Sequence, residues 1–242
     1  MITEFEGKHI VVTGASGGLG TAVVQAVLDA GATCHLPFIE GRTADYLPWS
    51  QHGRVTITHS MDLTDEVEIE RFYSALPELW ASIHLIGGFS MAPLTETSLA
   101  DFEHMLALNA KTCFLSCREA VKSMRKTGDG GRIVNVTARP VLEPTAGMLA
   151  YSVSKAAVAA LTQSLAVELQ NEHILVNAVV PSIIDTPRNR EAMPDADHDT
   201  WPKPEQLAQS IRFLASPQNH LTSGSLVPVY GRAWSGRPWR PS

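Results

Sequence analysis

The stretch VVTGASGGLG, residues 11–20, decides the fold of this chain. A β-branched run over 9–13 leads into the glycines, and apolar residues at helical spacing follow over 21–30. A strand, a glycine-rich turn and a helix N-terminus in this order form an anion site, because free backbone N–H groups and the helix dipole face the same point. Glycines also let the backbone come close to a pyrophosphate. The stretch therefore predicts dinucleotide binding.

The rest of the chain continues the alternation of strands and helices. Helix-like segments separate seven strand-like runs, at 9–13, 32–36, 54–59, 82–86, 132–137, 174–180 and 225–229. This alternation predicts an α/β fold, a Rossmann-type doubly wound parallel sheet of about seven strands with helices on both faces. At 242 residues, of which 44% are hydrophobic, the chain can bury one full core. We therefore expect a single domain over 1–242.

Two late segments depart from this alternation. Residues 182–204 are rich in Pro, Asp and Arg, and we interpret them as a substrate-loop insertion over the site. Within them, the acidic cluster 195–199 could chelate a metal, although a solvated loop is the simpler interpretation. Residues 231–242 are locally basic and aromatic. We expect them to form a C-terminal arm on a neighbouring subunit rather than a nucleic-acid contact.

Composition and charge argue against nucleic-acid and membrane partners. The net charge of −6 argues against a nucleic-acid partner. The sequence shows no signal-peptide pattern and no long apolar stretch, so we expect a cytoplasmic protein without a membrane partner. Cys34, Cys113 and Cys117 lack CxxC spacing and are expected to be buried free thiols. Cys113 and Cys117 share a helix face, but the sequence places no His or carboxylate set beside them, so no metal site is expected.

Tyr151 and Lys155 lie four residues apart in an apolar, helix-like run. Side chains at this spacing share one helix face. A phenol with a pKa of about 10 is a poor proton donor or acceptor near pH 7, and a neighbouring cation lowers that pKa. The pair can therefore act as a general acid or base. The alternative is a surface Tyr and Lys on an ordinary helix.

The motifs together resemble the short-chain dehydrogenases/reductases. The TGxxxGxG glycines, an Asn in Leu-Asn-Ala, and the Tyr–Lys pair stand in that family's order and at its usual separations. The residues concerned are Gly14, Gly18, Gly20, Asn109, Tyr151 and Lys155, with further matches at Asp62-Leu63, Asn135, Val176-Asn177, Pro181 and Thr186. The resemblance extends from about residue 7 to residue 230.

The resemblance implies hydride transfer between NAD(H) or NADP(H) and a small-molecule substrate. It implies that Tyr151 exchanges the proton, that Lys155 also holds the nicotinamide ribose, and that Asn109 anchors a proton-relaying water. An amide that satisfies a helix kink is the alternative for Asn109. A homodimer or homotetramer built partly on 98–125 and 150–171 is also implied. The cofactor-binding residues carried over are Gly14, Ser16, Gly18, Leu19, Gly20, Phe38, Asp62, Leu63, Gly87, Tyr151, Lys155, Pro181, Ile184 and Thr186.

One position departs from the family in a way that bears on the chemistry. The family carries a serine thirteen residues before the tyrosine, and its hydroxyl orients or polarises the substrate carbonyl. Here that position is Ala138. Thr137 is adjacent, but strand side chains alternate between faces, so its hydroxyl should point away. A degenerate enzyme, a substrate that needs no such donor, and a donor from another loop all remain open.

A second departure lies after the fourth strand, where the family's NNAG is replaced by IGGF at 86–89. Together with Pro181-Ser182 and the segment up to about 230, this is similar to the dihydropteridine reductase branch, which lacks the serine and reduces a pterin-like ring. The alternatives are a 3-oxoacyl or generic ketone reductase and a non-catalytic dinucleotide-binding relative.

The residues at the end of the second strand do not decide between NAD and NADP. Phe38 stands where NAD-dependent relatives carry an acidic residue, with Glu40 and Arg42 close by. Glu40 could bind the ribose hydroxyls, and Arg42 could meet a 2′-phosphate. Because Gly17 offers no basic side chain and the chain is acidic, we lean towards NADH.

Overall fold

The computed structural model describes residues 3–39 and 44–233. Its centre is a parallel sheet of seven strands in the order β3-β2-β1-β4-β5-β6-β7. The strands are β1 His9–Thr13, β2 Thr33–Pro37, β3 Val55–Thr58, β4 Leu79–His84, β5 Gly131–Val136, β6 Ile174–Pro181 and β7 Leu226–Val229. The predicted doubly wound sheet is confirmed.

Within the described residues, seven α-helices connect the strands. They are α1 Gly18–Asp29, α2 Glu66–Ser74, α3 Leu99–Met105, α4 Thr112–Met124, α5 Leu149–Glu168, α6 Pro187–Ala192 and α7 Pro204–Ala215. A π-helical segment, Leu106–Lys111, joins α3 to α4. Short 3-10 turns lie at Leu94–Glu96, Arg139–Val141, Gln170–Glu172 and His198–Thr200. In the part of the chain that is described, no helix is both long and apolar enough to cross a membrane.

Apolar residues fill both faces of the sheet, as expected for parallel strands covered by helices on each side. Along β1, Ile10 and Val12 enter one core cluster whereas Val11 enters the other. Along β5, Val134 lies in the first cluster and Ile133 in the second. The first cluster packs against α1 and α7, and the second against α2, α4 and α5. Strand alternation thus produces the two helical layers.

The candidate site lies at the carboxyl ends of the strands. The chain runs from β1 to β3 and then returns to β4 on the other side of β1, so the strand order reverses between β1 and β4. Ligands bind at such switch points in open α/β sheets. The turns at 14–17, 85–89, 137–138 and 182–186 all leave this edge.

The two late segments are described to different extents. Residues 182–204 contain α6, the 3-10 turn His198–Thr200 and the buried Trp201. Their function as a substrate loop stays a prediction. Of the predicted C-terminal arm, only 231–233 are described, and 234–242 lie outside the described residues.

Candidate active site

The glycine-rich turn after β1, residues 14–20, forms what we call the glycine cradle. Side chains at its glycines would fill the space beside the backbone. Gly14 has a φ of +71°, and a Cβ there would lie 3.0 Å from the backbone N of Ile86. A Cβ at Gly20 would lie 2.1 Å from the carbonyl oxygen of Gly14. The turn therefore packs directly on the segment after β4 and on the start of α1, as the close approach of a pyrophosphate to backbone requires.

The N-terminus of α1 is open to an anion. Gly17 is its N-cap, and no side chain caps the helix. The partly exposed Ser16 flanks this end, and Leu19 packs its side chain on the core. A Cβ at Gly18 would lie 2.9 Å from the Cγ2 of Thr186. Together these contacts fit a phosphate group bound between the turn and the segment after β6.

The segment after β6 is held by its own hydrogen bonds. Pro181 ends the strand, and the carbonyl oxygen of Ile184 accepts from Thr186 N at 2.9 Å and from Asn189 Nδ2 at 2.8 Å. The Thr186 hydroxyl caps α6 by accepting from Asn189 N at 3.3 Å. Thr186 is thereby fixed beside the glycine turn, and its predicted contact with the cofactor stays a prediction.

Tyr151 and Lys155 both lie in α5 but in different surroundings. Lys155 is 6% exposed, and its Nζ donates to the carbonyl oxygen of Val136 at 3.0 Å. Tyr151 is half-buried, and its ring meets that of Phe89 edge-on, with centroids 5.1 Å apart. Among the described residues, none hydrogen-bonds the Tyr151 hydroxyl. The phenol is therefore available to a bound molecule.

Burial controls the pKa values of this pair. It raises the pKa of Tyr151 to about 12 and lowers the pKa of Lys155 to about 8. The prediction that Lys155 lowers the Tyr151 pKa is wrong for this arrangement, because desolvation dominates and the ammonium is bonded to Val136. At neutral pH Tyr151 is a protonated phenol, which suits it to donate a proton.

Asn109 connects the turn after β4 to α5. It is buried in the π-helical segment, where its Oδ1 accepts from Gly88 N at 2.9 Å and its Nδ2 donates to Gly88 O at 3.2 Å. The same Nδ2 donates to Ser154 Oγ at 2.9 Å. A Cβ at Gly87 would lie 2.6 Å from Asn109 Oδ1 and 2.9 Å from Lys155 Nζ. The amide thus fixes the site's geometry, while its predicted water-anchoring role stays a prediction.

The end of β5 offers no hydroxyl to a substrate. Ala138 is 4% exposed, and the hydroxyl of Thr137 donates to the backbone oxygen of Lys155 at 2.9 Å. The expectation that Thr137 points away from the site is confirmed. Arg139, which the sequence reasoning missed, ion-pairs with Glu143 at 2.9 Å and stacks over the ring of Tyr230.

Two of the predicted cofactor residues have buried side chains, and two further candidates lie outside the described residues. Phe38 was assigned to the cofactor site, where its side chain could offer adenosine only an apolar wall or ring stacking. It is 3% exposed, with its ring edge-on to Trp49 at 6.5 Å, so its side chain is not open to a bound adenosine. The side chain of Leu63 is likewise part of the core. Glu40 and Arg42 lie outside the described residues.

Asp62, by contrast, is exposed at the end of the turn after β3. Its Oδ1 accepts from Thr64 N and from Thr64 Oγ1, each at 2.8 Å. These bonds fix the orientation of its carboxylate at the edge of the sheet.

A buried polar cluster behind the site corrects another prediction. His84 lies beside Cys113 and Cys117, and their ligand atoms are all within 4.8 Å of one another. The expectation that no His lies near these thiols is wrong, because α4 packs over the end of β4. Contact between the two sulfurs lowers the pKa of Cys113 and raises that of Cys117, since one proton is shared.

Comparisons with known proteins agree with this geometry. The family model described as short chain dehydrogenase matches residues 8–197. The 3-beta-hydroxysteroid dehydrogenase of Comamonas testosteroni is 28% identical, over 93% of this chain and 95% of that protein. The 3-oxoacyl-[acyl-carrier-protein] reductase of Thermotoga maritima is 29% identical, over 94% of this chain and 98% of that protein.

A solved structure gives the same result. The short-chain dehydrogenase/reductase from Serratia marcescens superposes with a TM-score of 0.85 at 27% identity, covering 95% of this chain and 99% of that one. The cradle, the Tyr–Lys pair and the sheet order thus occur in a chain that matches these relatives over nearly its whole length. This chain belongs to the short chain dehydrogenase family.

Proposed function

We propose that this protein transfers hydride between a nicotinamide cofactor and a carbonyl or imine-like carbon of a small organic substrate. The observation that carries the proposal is the phenol of Tyr151, to which no residue in 3–39 or 44–233 hydrogen-bonds, on the same helix as the buried Lys155. Both lie at the sheet edge that also carries the glycine cradle. Proton exchange and dinucleotide binding are thus supported at one place.

The cofactor would lie along the sheet edge. When bound, it supplies or accepts the hydride. The backbone of the glycine turn would hold the pyrophosphate, Thr186 would close over it, and Asp62 would bind at the adenosine end. We favour NADH over NADPH, because Gly17 presents no cation to a 2′-phosphate.

Tyr151 would donate the proton to the reduced atom. Its raised pKa keeps the phenol protonated at neutral pH, so the donor form is the one present. The Lys155 ammonium, held by the Val136 carbonyl, would bind the hydroxyls of the nicotinamide ribose. Asn109 fixes the turn at 86–89 against α5 and so holds the phenol and the ammonium in register.

The substrate is proposed to be a conjugated, pterin-like ring. With Ala138 in place of the serine, no hydroxyl from β5 polarises a ketone. A delocalised imine-like system depends less on that hydrogen bond. Phe89, 60% exposed beside Tyr151, offers an aromatic face against which a planar ring can pack.

A second candidate is a ketone or 3-oxoacyl reductase. The relatives from Comamonas and Thermotoga are named for a hydroxysteroid and a 3-oxoacyl substrate, and both match nearly the whole chain. In that case Ala138 is tolerated, and a donor from another loop would replace the serine.

Steady-state kinetics separate these candidates. We would measure kcat/KM for a quinonoid dihydropterin, a ketone panel and a 3-oxoacyl thioester, with NADH and with NADPH. Tyr151→Phe should remove most activity, whereas the exposed Tyr46→Phe should retain it. Turnover of ketones alone would favour the second candidate. Cofactor binding without turnover of any substrate would indicate a non-catalytic relative and overturn the proposal.

A further inference from the structure

A cluster of four buried ligand atoms lies between β4, β5 and α4. It consists of His84 Nδ1, Cys113 Sγ, Cys117 Sγ and Asn135 Oδ1. The four residues are each 5% exposed or less. Cys117 Sγ lies 4.0 Å from Cys113 Sγ, 3.5 Å from His84 Nδ1 and 3.6 Å from Asn135 Oδ1.

These separations are close to the edges of a tetrahedron around a zinc ion. Zn–S bonds of about 2.3 Å and Zn–N or Zn–O bonds of about 2.0 Å place two sulfurs about 3.8 Å apart, and a sulfur about 3.6 Å from a nitrogen or oxygen. The three distances from Cys117 Sγ match these values within a few tenths of an ångström, and Cys113 Sγ and the His84 ligand nitrogen lie within 4.8 Å of each other. The pair His84 Nδ1 and Asn135 Oδ1, hydrogen-bonded at 2.8 Å, would have to move apart by about half an ångström.

We propose that His84, Cys113, Cys117 and Asn135 form a binding site for a thiophilic divalent cation such as zinc. Thiolate and imidazole ligands select such ions over magnesium or calcium. Two thiolates balance the charge of the ion, so the buried site is neutral when filled. On binding, each thiol releases its proton, and the imidazole stays neutral with its proton on Nε2.

A hydrogen-bond acceptor for the Nε2 proton of His84 lies beside the imidazole. Its Nε2 lies 2.8 Å from the hydroxyl of Ser82, which lies 2.8 Å from the hydroxyl of Tyr73. Either hydroxyl can rotate to accept or donate, so Ser82 can accept from Nε2 while Nδ1 binds the ion. Such outer hydrogen bonds orient metal-binding imidazoles. Asn135 is held in turn by donating from Nδ2 to Thr162 Oγ1 at 2.9 Å.

The test uses the full-length, metal-free protein titrated with Co²⁺. We expect one equivalent to give the intense visible bands of tetrahedral cobalt and a thiolate-to-cobalt charge-transfer band. Cys113→Ser and Cys117→Ser should each lose the charge-transfer intensity. Cys34→Ser is the matched control, because Cys34 is buried in the other core cluster and should leave the spectrum unchanged.

A spectrum without these bands in the wild type would overturn the proposal, as would bands that persist in both serine variants. X-ray absorption at the zinc edge of the wild type gives a second measurement that does not depend on the variants folding. Two sulfurs at about 2.3 Å and two lighter atoms at about 2.0 Å are expected. A shell of oxygen and nitrogen alone would contradict the site.

Discussion

At the scale of single residues, the proposed chemistry depends on Ala138 and Tyr151. The methyl group of Ala138 is buried at the end of β5, and Thr137 uses its hydroxyl to bind α5. In the proposed mechanism, the phenol of Tyr151 is the proton donor that the described part of the site presents to a substrate. The identity of the substrate therefore decides how much the missing serine costs.

The Ala138→Ser variant tests this dependence. For a conjugated ring, we expect kcat/KM to change by less than about twofold, because the installed hydroxyl polarises no isolated carbonyl. For a ketone, a regained hydrogen bond worth on the order of 1–3 kcal/mol should speed reduction roughly tenfold to a hundredfold. The assay compares both substrates in both proteins. A large gain on the dihydropterin would contradict the proposed substrate class.

Lys155 gives a prediction about pH. Burial, partly opposed by attraction to Cys113, lowers its pKa from 10.5 to about 8, so the ammonium is lost as the pH rises through that value. We expect kcat/KM for reduction to fall above pH 8, by up to tenfold per pH unit. Lys155→Arg, which stays charged, should lose this alkaline limb even if its activity is low. An unchanged limb in that variant would assign the titration to another group.

Some of these residue properties could be predicted from sequence and others could not. Spacing placed Tyr151 and Lys155 on one helix, and strand alternation gave the direction of Thr137. Phe38 was wrongly predicted to face the cofactor, because its burial depends on Trp49, which the sequence places eleven residues away. The Tyr151 pKa was predicted in the wrong direction, since desolvation depends on packing that no local pattern reports.

At the scale of elements, the sequence predicted the glycine turn together with the strand β1 before it and the helix α1 after it. The Gly14→Val variant tests the role of this turn. A side chain at Gly14 is disfavoured by the φ of +71° and by the 3.0 Å between its Cβ position and Ile86 N. We expect NADH affinity to fall at least about tenfold. Gly53→Ala is the matched control, because a Cβ there meets nothing within 4 Å. Fluorescence titration measures both, and undiminished affinity in folded Gly14→Val would refute this site.

The pairing of β1 with β2 contributes an acid-sensitive contact. His35 is buried, and its Nε2 lies 2.9 Å from His9 Nδ1. Burial and then His9 lower the pKa of His35 from 6.5 to about 4. Between these values the unfolded chain binds more protons than the folded one, so the free energy of unfolding falls as the pH falls.

We expect this loss to be on the order of 1–3 kcal/mol between pH 6.5 and 4, measured by urea denaturation. His35→Leu should flatten the pH profile over that interval. The exposed His220→Leu serves as the control and should leave the slope as it is. A profile that keeps its slope in His35→Leu would assign the acid sensitivity to other groups.

At the scale of the whole molecule, the sequence predicted the doubly wound parallel sheet and the bounds of its strands to within a few residues. Hydrophobic runs and glycine punctuation are local signals, and the covering of both sheet faces follows from them. The cluster at His84 could not be predicted, because it exists only where α4 packs on β4, far apart in sequence. Arg139 was missed for the same reason, since Tyr230 comes from the far end of the chain.

The predicted oligomer is the last property of the whole molecule. We expect a homodimer or homotetramer built on α4 and α5, because both helices carry exposed apolar side chains that a neighbouring copy would cover. Phe114 on α4 is 45% exposed, and Val153 and Val167 on α5 are 41% and 69% exposed. Phe114→Asp combined with Val167→Asp should shift the protein to a smaller species in sedimentation velocity, because buried unpaired carboxylates oppose association. Leu221→Asp, at a side chain 93% exposed outside these helices, should leave the mass unchanged. A monomeric wild type would refute the predicted oligomer. A double variant with the wild-type mass would show that the subunits meet at another surface.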